Sequence, residues 1–127
     1  MKQRLTGKVD KGWGYEIIFA SNDQYAGKIL VFDREGAKMS MHFHKEKDET
    51  WFVNVGKFKL TWCDTTTAVY HEKILEEGDT WHNLPLIPHQ LEALTANASI
   101  FEVSTADSIE DNYRIIPGDS QCEANNS

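Results

Sequence analysis

The sequence predicts an all-β sandwich or barrel. Three observations carry this. About nine short runs read as strands, and turn signals separate them at intervals of about 8–12 residues. The run Phe58-Lys59-Leu60-Thr61-Trp62 alternates apolar and polar side chains, the period-2 mark of a half-buried strand. No segment sustains the 3.6-residue apolar period of an amphipathic helix.

Taken in order, the chain from Met1 to Asp10 is polar and reads as an arm or edge strand. Glycines bracket the aromatic in Lys11-Gly12-Trp13-Gly14-Tyr15-Glu16, a turn-like opening. Ile17 to Ala20 is a short apolar run closed by the turn Ser21-Asn22-Asp23. Tyr25 to Phe32 is a strand, followed by the turn Asp33-Arg34-Glu35-Gly36. Lys38 to His44 and Thr50 to Val55 are strands on either side of a charged turn, and Gly56-Lys57 leads into Phe58 to Trp62. Ala68 to Leu75, Thr80 to Leu84, Pro88 to Leu94 and Ala98 to Ser104 complete the set, with Glu76-Glu77-Gly78-Asp79 and Asn97 as bends. From Thr105 the chain turns polar, and Gly118 to Ser127 reads as frayed. This gives a single domain over 1–127: a barrel core at about 13–105, an N-terminal arm at 1–12 and a C-terminal tail at 106–127.

At 127 residues the chain is long enough to bury a core. Its net charge of -7 argues against nucleic acid and anionic membranes as partners. No apolar run approaches a transmembrane length and no signal pattern opens the chain, so a cytoplasmic location is expected. Cys63 and Cys122 sit far apart, outside the histidine cluster, and read as free thiols.

The stretch GAKMSMHFHKEKDETWFVNVG, Gly36 to Gly56, holds the chemistry. His42 and His44 are two apart, so a strand sets both rings on one face. Glu49 is five residues on, the wrong parity for the same straight strand. The turn Lys45-Glu46-Lys47-Asp48 lets it face back toward the imidazoles. Two imidazoles and a carboxylate make three metal ligands, and His89 is the best candidate for a fourth. Such a donor set suits a divalent Zn, Fe, Mn, Co or Ni ion. His82 reads as a rim or surface histidine.

These residues resemble the cupin superfamily. Its first motif, G-x5-H-x-H-x4-E-x6-G, is met at Gly36, His42, His44, Glu49 and Gly56 with every spacing kept. The second motif is looser. Gly78 and His89 keep their separation, but Leu84 stands where proline belongs, Leu86 replaces a glycine and Ala93 an asparagine. The resemblance implies a small double-stranded β-helix, a jelly-roll barrel, holding a divalent metal through His42, His44, Glu49 and His89. From about Lys11 to Arg114 the chain is similar in particular to the mannose-6-phosphate isomerase-like cupins. Trp13-Gly14-Tyr15-Glu16, Gly27-Lys28-Ile29-Leu30, Ser40-Met41-His42-Phe43-His44 and Lys47-Asp48-Glu49-Thr50 carry that likeness, with Gly78-Asp79, Pro88-His89 and Glu102-Val103-Ser104-Thr105. It departs at the tail, where Arg114 fits with one inserted residue and Pro117-Gly118-Asp119 replaces the usual Tyr-Gly-Arg.

The resemblance implies a metal-dependent aldose–ketose isomerisation of a sugar phosphate through a metal-stabilised enediolate. Glu102, Lys28 and Tyr15 would be catalytic, and Arg114 and Lys47 would hold substrate. Lys38 is a further cation to weigh for a phosphate. Two rival readings stand beside it: a sugar-binding cupin without turnover, and an Fe(II) dioxygenase. Trp51, Trp62, Trp81, Phe52 and Phe58 read as core or interface. So many large aromatics on short strands predict a homodimer.

Overall fold

The structure, a computed structural model, describes residues 6–123. Eleven strands occur among them: β1 (Gly7–Lys11), β2 (Gly14–Ser21), β3 (Tyr25–Phe32), β4 (Met41–Phe43), β5 (Glu49–Val55), β6 (Phe58–Asp64), β7 (Val69–Leu75), β8 (Thr80–Asn83), β9 (His89–Ala93), β10 (Ala98–Thr105) and β11 (Tyr113–Ile116). A short helix, α1 (Asp119–Glu123), follows. The strands form two antiparallel sheets, ordered β1-β2-β3-β10-β5-β8 and β11-β4-β9-β6-β7. This is the jelly-roll architecture the sequence predicts.

Local chemistry makes the hairpins. Between β2 and β3 the Asn22 side chain accepts hydrogen bonds from the amides of Gln24 and Tyr25. Between β6 and β7 Asp64 does the same for Thr66 and Thr67. Both are side-chain mimics of a backbone turn. At the start of β2 only glycine fits: a Cβ on Gly14 would stand 2.0 Å from the Val31 carbonyl oxygen.

Inward positions of the two sheets meet in one apolar cluster. Trp13 stacks on Phe32 at 4.4 Å, and Phe58 from the opposite sheet meets Phe32 edge-on at 5.1 Å. Val53, Leu60, Leu75, Leu91 and Ile100 fill in around them, all shielded from water. Toward the other end of the sandwich the inward side chains become polar, and a cavity opens there.

Three expectations need correction. The strand expected over Lys38 to His44 is broken: Lys38 makes an isolated bridge to Glu92, and regular pairing resumes only at β4. The polar tail hides β11, which pairs with β4. The segment after Gly118 is also not frayed over α1. Asp119 accepts hydrogen bonds from the Lys38 amide and Arg34, and Ser120 accepts one from the Gly12 amide. Residues 124–127 and 1–5 lie outside the described residues. The polar start of the chain does supply an edge strand, β1. Cys63 and Cys122 are free, and no helix is long and apolar enough to cross a membrane.

Leu86 explains the loose second motif. It stands where the second motif of the family this chain resembles has glycine, and its φ is +70°, in the left-handed region that glycine favours. Its amide donates to the His44 carbonyl, so the turn keeps its shape without the residue that suits it. The left-handed conformation costs a branched residue about 1–2 kcal/mol. Glycine would recover that, less its own larger chain entropy of about 0.5–1 kcal/mol. Leu86→Gly is therefore expected to stabilise the protein by up to about 1 kcal/mol. A denaturant melt with no gain in midpoint would show that the turn carries no such strain.

Candidate metal centre

The four predicted ligands converge. His42 lies on β4, His44 just after it, and His89 opens β9 in direct register with His42. Glu49 opens β5 on the opposite sheet, so the site bridges the sandwich. One donor atom from each of these residues lies within 4.8 Å of the others. Glu49 Oε1 is 3.2 Å from both His44 Nε2 and His89 Nε2.

The imidazole tautomers are set by the backbone. Nδ1 of His42 sits 2.8 Å from the Ser40 carbonyl, and Nδ1 of His89 sits 2.9 Å from that of Ile87. Nδ1 of His44 meets the Asp111 carbonyl. A carbonyl can only accept, so each Nδ1 carries hydrogen and each neutral ring turns its Nε2 lone pair inward. Glu49 Oε1 and His89 Nε2 are buried without a hydrogen-bond partner. Lone pairs facing lone pairs out of water need a cation or a proton between them. These residues therefore fit a divalent ion, and His42, His44, Glu49 and His89 could hold one.

The electrostatics agree. Burial, then the neighbouring His89 and His44 rings, hold His42 well below its ordinary value, so it stays neutral and ready to ligate. Burial works against ionising Glu49, but the Lys47 ammonium and the hydrogen-bonded Glu102 carboxyl outweigh it, and Glu49 stays charged. Burial also works against a charge on His44, but its contact with Glu49 raises it above the ordinary imidazole range. A proton on His44 is what a metal must displace.

Behind Glu49 lies a second set of groups. The sequence turns a row of inward residues toward the cavity across three strands: Lys28 on β3, Glu102 on β10 and Trp51 on β5 are register neighbours. Trp51 Nε1 donates to Glu102 Oε1 at 3.0 Å, and Lys47 Nζ lies 3.0 Å from Glu102 Oε2. Lys28 pairs with Asp107 at 2.6 Å, and Lys47 reaches the same carboxylate at 3.6 Å. Burial, then the charge on Glu49, push the Glu102 carboxyl up to about 7. Glu102 is thus the one of the two neighbouring carboxyls that gains and loses a proton near neutrality.

These groups, with His42, His44 and Glu49, line one cavity of about 300 Å³. Arg114, on β11 and in register with His42, lines it too. Lys11, Lys28 and Lys47 each have a carboxylate partner, whereas Arg114 has none among the described residues. Tyr15 is not brought there. Strand alternation sends Glu16 and Ile18 into the cavity and Tyr15 to the other face of β2, where Lys8 lies over its ring. His82 pairs with Asp48 at the surface, and Lys38 is outside the lining.

Sequence reading missed Asp107 and Asp111. Asp111 closes the ligand loop: its carboxylate accepts the amides of Lys45, Glu46 and Lys47, and its carbonyl orients His44. The turn between two ligands is thereby built on a residue from the polar tail. No local pattern marks it, because its partners are more than sixty positions away.

No protein-family model matches the chain, and no curated protein matches it by sequence. Solved structures do. KdgF from Halomonas sp. superposes with a TM-score of 0.65 at 20% identity, over 76% of this chain and 81% of that one. Oxalate decarboxylase from Bacillus subtilis does so with a TM-score of 0.75 at 22% identity, over 87% of this chain. The capsular polysaccharide assembling protein CapF from Staphylococcus aureus gives 0.74 at 14%, over 90%. The chain spans only 30% of the oxalate decarboxylase and 33% of CapF. All three are cupins, and the likeness defines the fold of this chain as that of the cupins.

Two outcomes follow from this geometry. His44→Ala and His89→Ala are each expected to lose most bound metal and the rise in melting temperature that metal gives, as ligand binding to the native state requires. Glu49→Gln keeps an oxygen and should weaken binding without unfolding the protein. Full metal occupancy in both alanine variants would exclude this site. Asp111→Ala is expected to weaken metal about 10–100-fold, as for other residues that orient ligands, in a competition titration against a chelator.

The pH dependence has a defined sign. His44 is raised above the ordinary imidazole value of about 6.5, so protons compete with metal already above that pH. Apparent affinity should fall as pH falls through neutrality. In the metal-free protein the His44–Glu49 pair runs the other way: its contribution is complete below the ordinary imidazole value and is lost as pH rises through the raised one. Calorimetry with two buffers of different ionisation heat reads the released proton. A binding curve flat between pH 6 and 8 would contradict the assignment.

Proposed function

We propose that this protein is a metal-dependent enzyme that isomerises a small anionic sugar, an aldose–ketose interconversion of a sugar phosphate. One observation carries the reading. Three members of a metal-competent His3Glu cluster (His42, His44 and Glu49), a buried second carboxyl and a cation without an acidic partner among the described residues line the same cavity of about 300 Å³. Metal-binding scaffolds without turnover have no need of the second carboxyl, and burying one costs stability.

Each residue has a task. A divalent ion held by His42, His44, Glu49 and His89 supplies Lewis acidity that acidifies a C–H beside a carbonyl. Glu102 takes the proton from one carbon and returns it to the next, so no oxidant or reductant is needed. A carboxyl near neutrality suits both directions of transfer. Trp51 and Lys47 hold it in place. Lys28 and Asp107 neutralise one another and fix Lys47 from behind. Arg114 pairs with the anionic end of the substrate, its planar fork suiting phosphate oxygens. The wall around them is partly apolar, from Trp13, Ile18, Leu30 and Ile109, which limits water at the reacting carbons.

The test is proton exchange at carbon. Protein loaded with Zn, Mn or Co is incubated in D2O with mannose 6-phosphate or fructose 6-phosphate, and deuterium at C2 is read by NMR. Exchange is expected in the wild type. Glu102→Gln should reduce it about 10²–10⁴-fold while metal content stays the same. Arg114→Ala should raise KM for the phosphosugar far more than for its unphosphorylated counterpart. No exchange with any of the three metals would overturn the isomerase. Saturable phosphosugar binding without exchange would make the protein a binding module instead.

A further inference from the structure

We propose that the end of the cavity away from the metal ligands is a hydroxyl-binding subsite, in which Glu16 selects substrates whose far end is a neutral polyol. The role of this subsite in catalysis rests on the isomerase reading, and it holds the part of the sugar that the metal end does not. Strand alternation turns Glu16 and Ile18 of β2 inward beside Leu30 and Lys28 of β3, and all four line the cavity. Glu16 is level with Leu30, Leu30 is level with Ile100 on β10, and Glu102 lies two residues beyond Ile100. Two strand spacings and one pleat repeat thus separate Glu16 from Glu102, about 12 Å along the sheet. A hydrogen bond of about 2.8 Å at each end leaves roughly 6 Å, the length of a five- or six-carbon sugar. The turn after β1 and the helix α1 close this end. Ser120 accepts the Gly12 amide, and a Cβ on Gly12 would stand 2.5 Å from the Asp119 backbone.

Glu16 is only 9% exposed, yet its carboxylate is loosely held. Lys11 Nζ stands 3.9 Å away, beyond hydrogen-bond reach. Lys28 grips Asp107 at 2.6 Å and Lys47 grips Glu102 at 3.0 Å. No hydrogen bond to the Glu16 carboxylate occurs among the described residues. A carboxylate screened from bulk water and left without a donor is an acceptor held open for a ligand. Its neighbours decide which ligand. Gln121 Oε1 accepts the Gly118 amide, which leaves its Nε2 hydrogens to donate. The Ser120 oxygen is engaged by Gly12, and its own hydrogen is left to donate. With Lys11, these donors and one carboxylate line the same end. A phosphate dianion can only accept, and Glu16 repels it. Hydroxyls both donate and accept, so a neutral polyol satisfies the whole set. The anion of the substrate goes instead to Arg114, in register with His42 on the opposite sheet and without an acidic partner among the described residues.

The test is calorimetric titration of the zinc-loaded protein with three unreactive probes. Sorbitol 6-phosphate has the anion and the hydroxyls but no carbonyl, sorbitol has the hydroxyls alone, and methyl phosphate has the anion alone. Glu16→Ala is expected to weaken both polyols about 10–100-fold and to leave methyl phosphate no weaker. Glu16→Gln keeps the shape and one acceptor oxygen, and should weaken the polyols about fivefold with metal content and melting temperature unchanged. In the exchange assay Glu16→Ala should raise KM for fructose 6-phosphate far more than it lowers kcat, because the contact holds ground state and transition state alike. Polyol binding that both Glu16 variants leave intact overturns the subsite, even where C2 exchange is seen and the isomerase stands. Equal losses for the polyols and methyl phosphate overturn it too, since they report a disturbed cavity and not a lost hydroxyl contact. So does a wild type that binds neither polyol. Polyol binding that depends on Glu16, without C2 exchange, supports the subsite and removes the isomerase.

Discussion

Four donor atoms within 4.8 Å of one another, mostly screened from water, are the constraint on which this structure turns. Three nitrogen lone pairs and a carboxylate oxygen do not gather unaided; in the absence of a cation they repel or take up a proton. The fold holds them by removing alternatives. Each Nδ1 hydrogen is committed to a carbonyl, two of them within two residues in sequence and one from a distant loop. Register between β4 and β9 fixes two rings, and the clamp of Asp111 on the Lys45–Lys47 amides fixes the path from the third ring to Glu49. Ligand geometry here is a property of backbone hydrogen bonds before it is a property of side chains.

A second consequence concerns charge. Lys47 is almost wholly buried, although it sits in a turn of four charged residues. Its partners Glu102 and Asp107 make that burial tolerable, and Lys28 completes the balance. Removing one member would leave an uncompensated buried charge, which is costlier than losing the pair. The network therefore couples the region behind the metal ligands to the strands β3 and β10.

The all-β sandwich or barrel class was legible because turn residues and short alternating runs are local signals, while the jelly roll came from the resemblance. Tyr25 to Phe32 and Ala98 to Ser104 were read within a residue of β3 and β10. The candidate metal ligands were legible because His42, His44 and Glu49 lie within eight residues and their spacing suits one strand and one turn. His89 needed the resemblance as well as its residue type. Tyr15 was misplaced because a one-residue difference in strand parity reverses the face, and Glu16 took the inward position. β11 and α1 were lost in a polar tail whose hydrogen-bond partners lie far off in sequence.

What the sequence determined by itself is what near neighbours decide: the strands, the turns, the spacing of ligand-type residues and the overall acidity. What only the tertiary structure decided is which side chains meet across the sandwich. That Asp111 orients His44, that Asp107 balances Lys28 and Lys47, and that Arg114 stands by the cavity without an acidic partner among the described residues depend on the tail folding back beside β4. Such contacts join residues sixty or more positions apart. They are fixed by closure of the two sheets around the apolar core and leave no periodic trace in the chain.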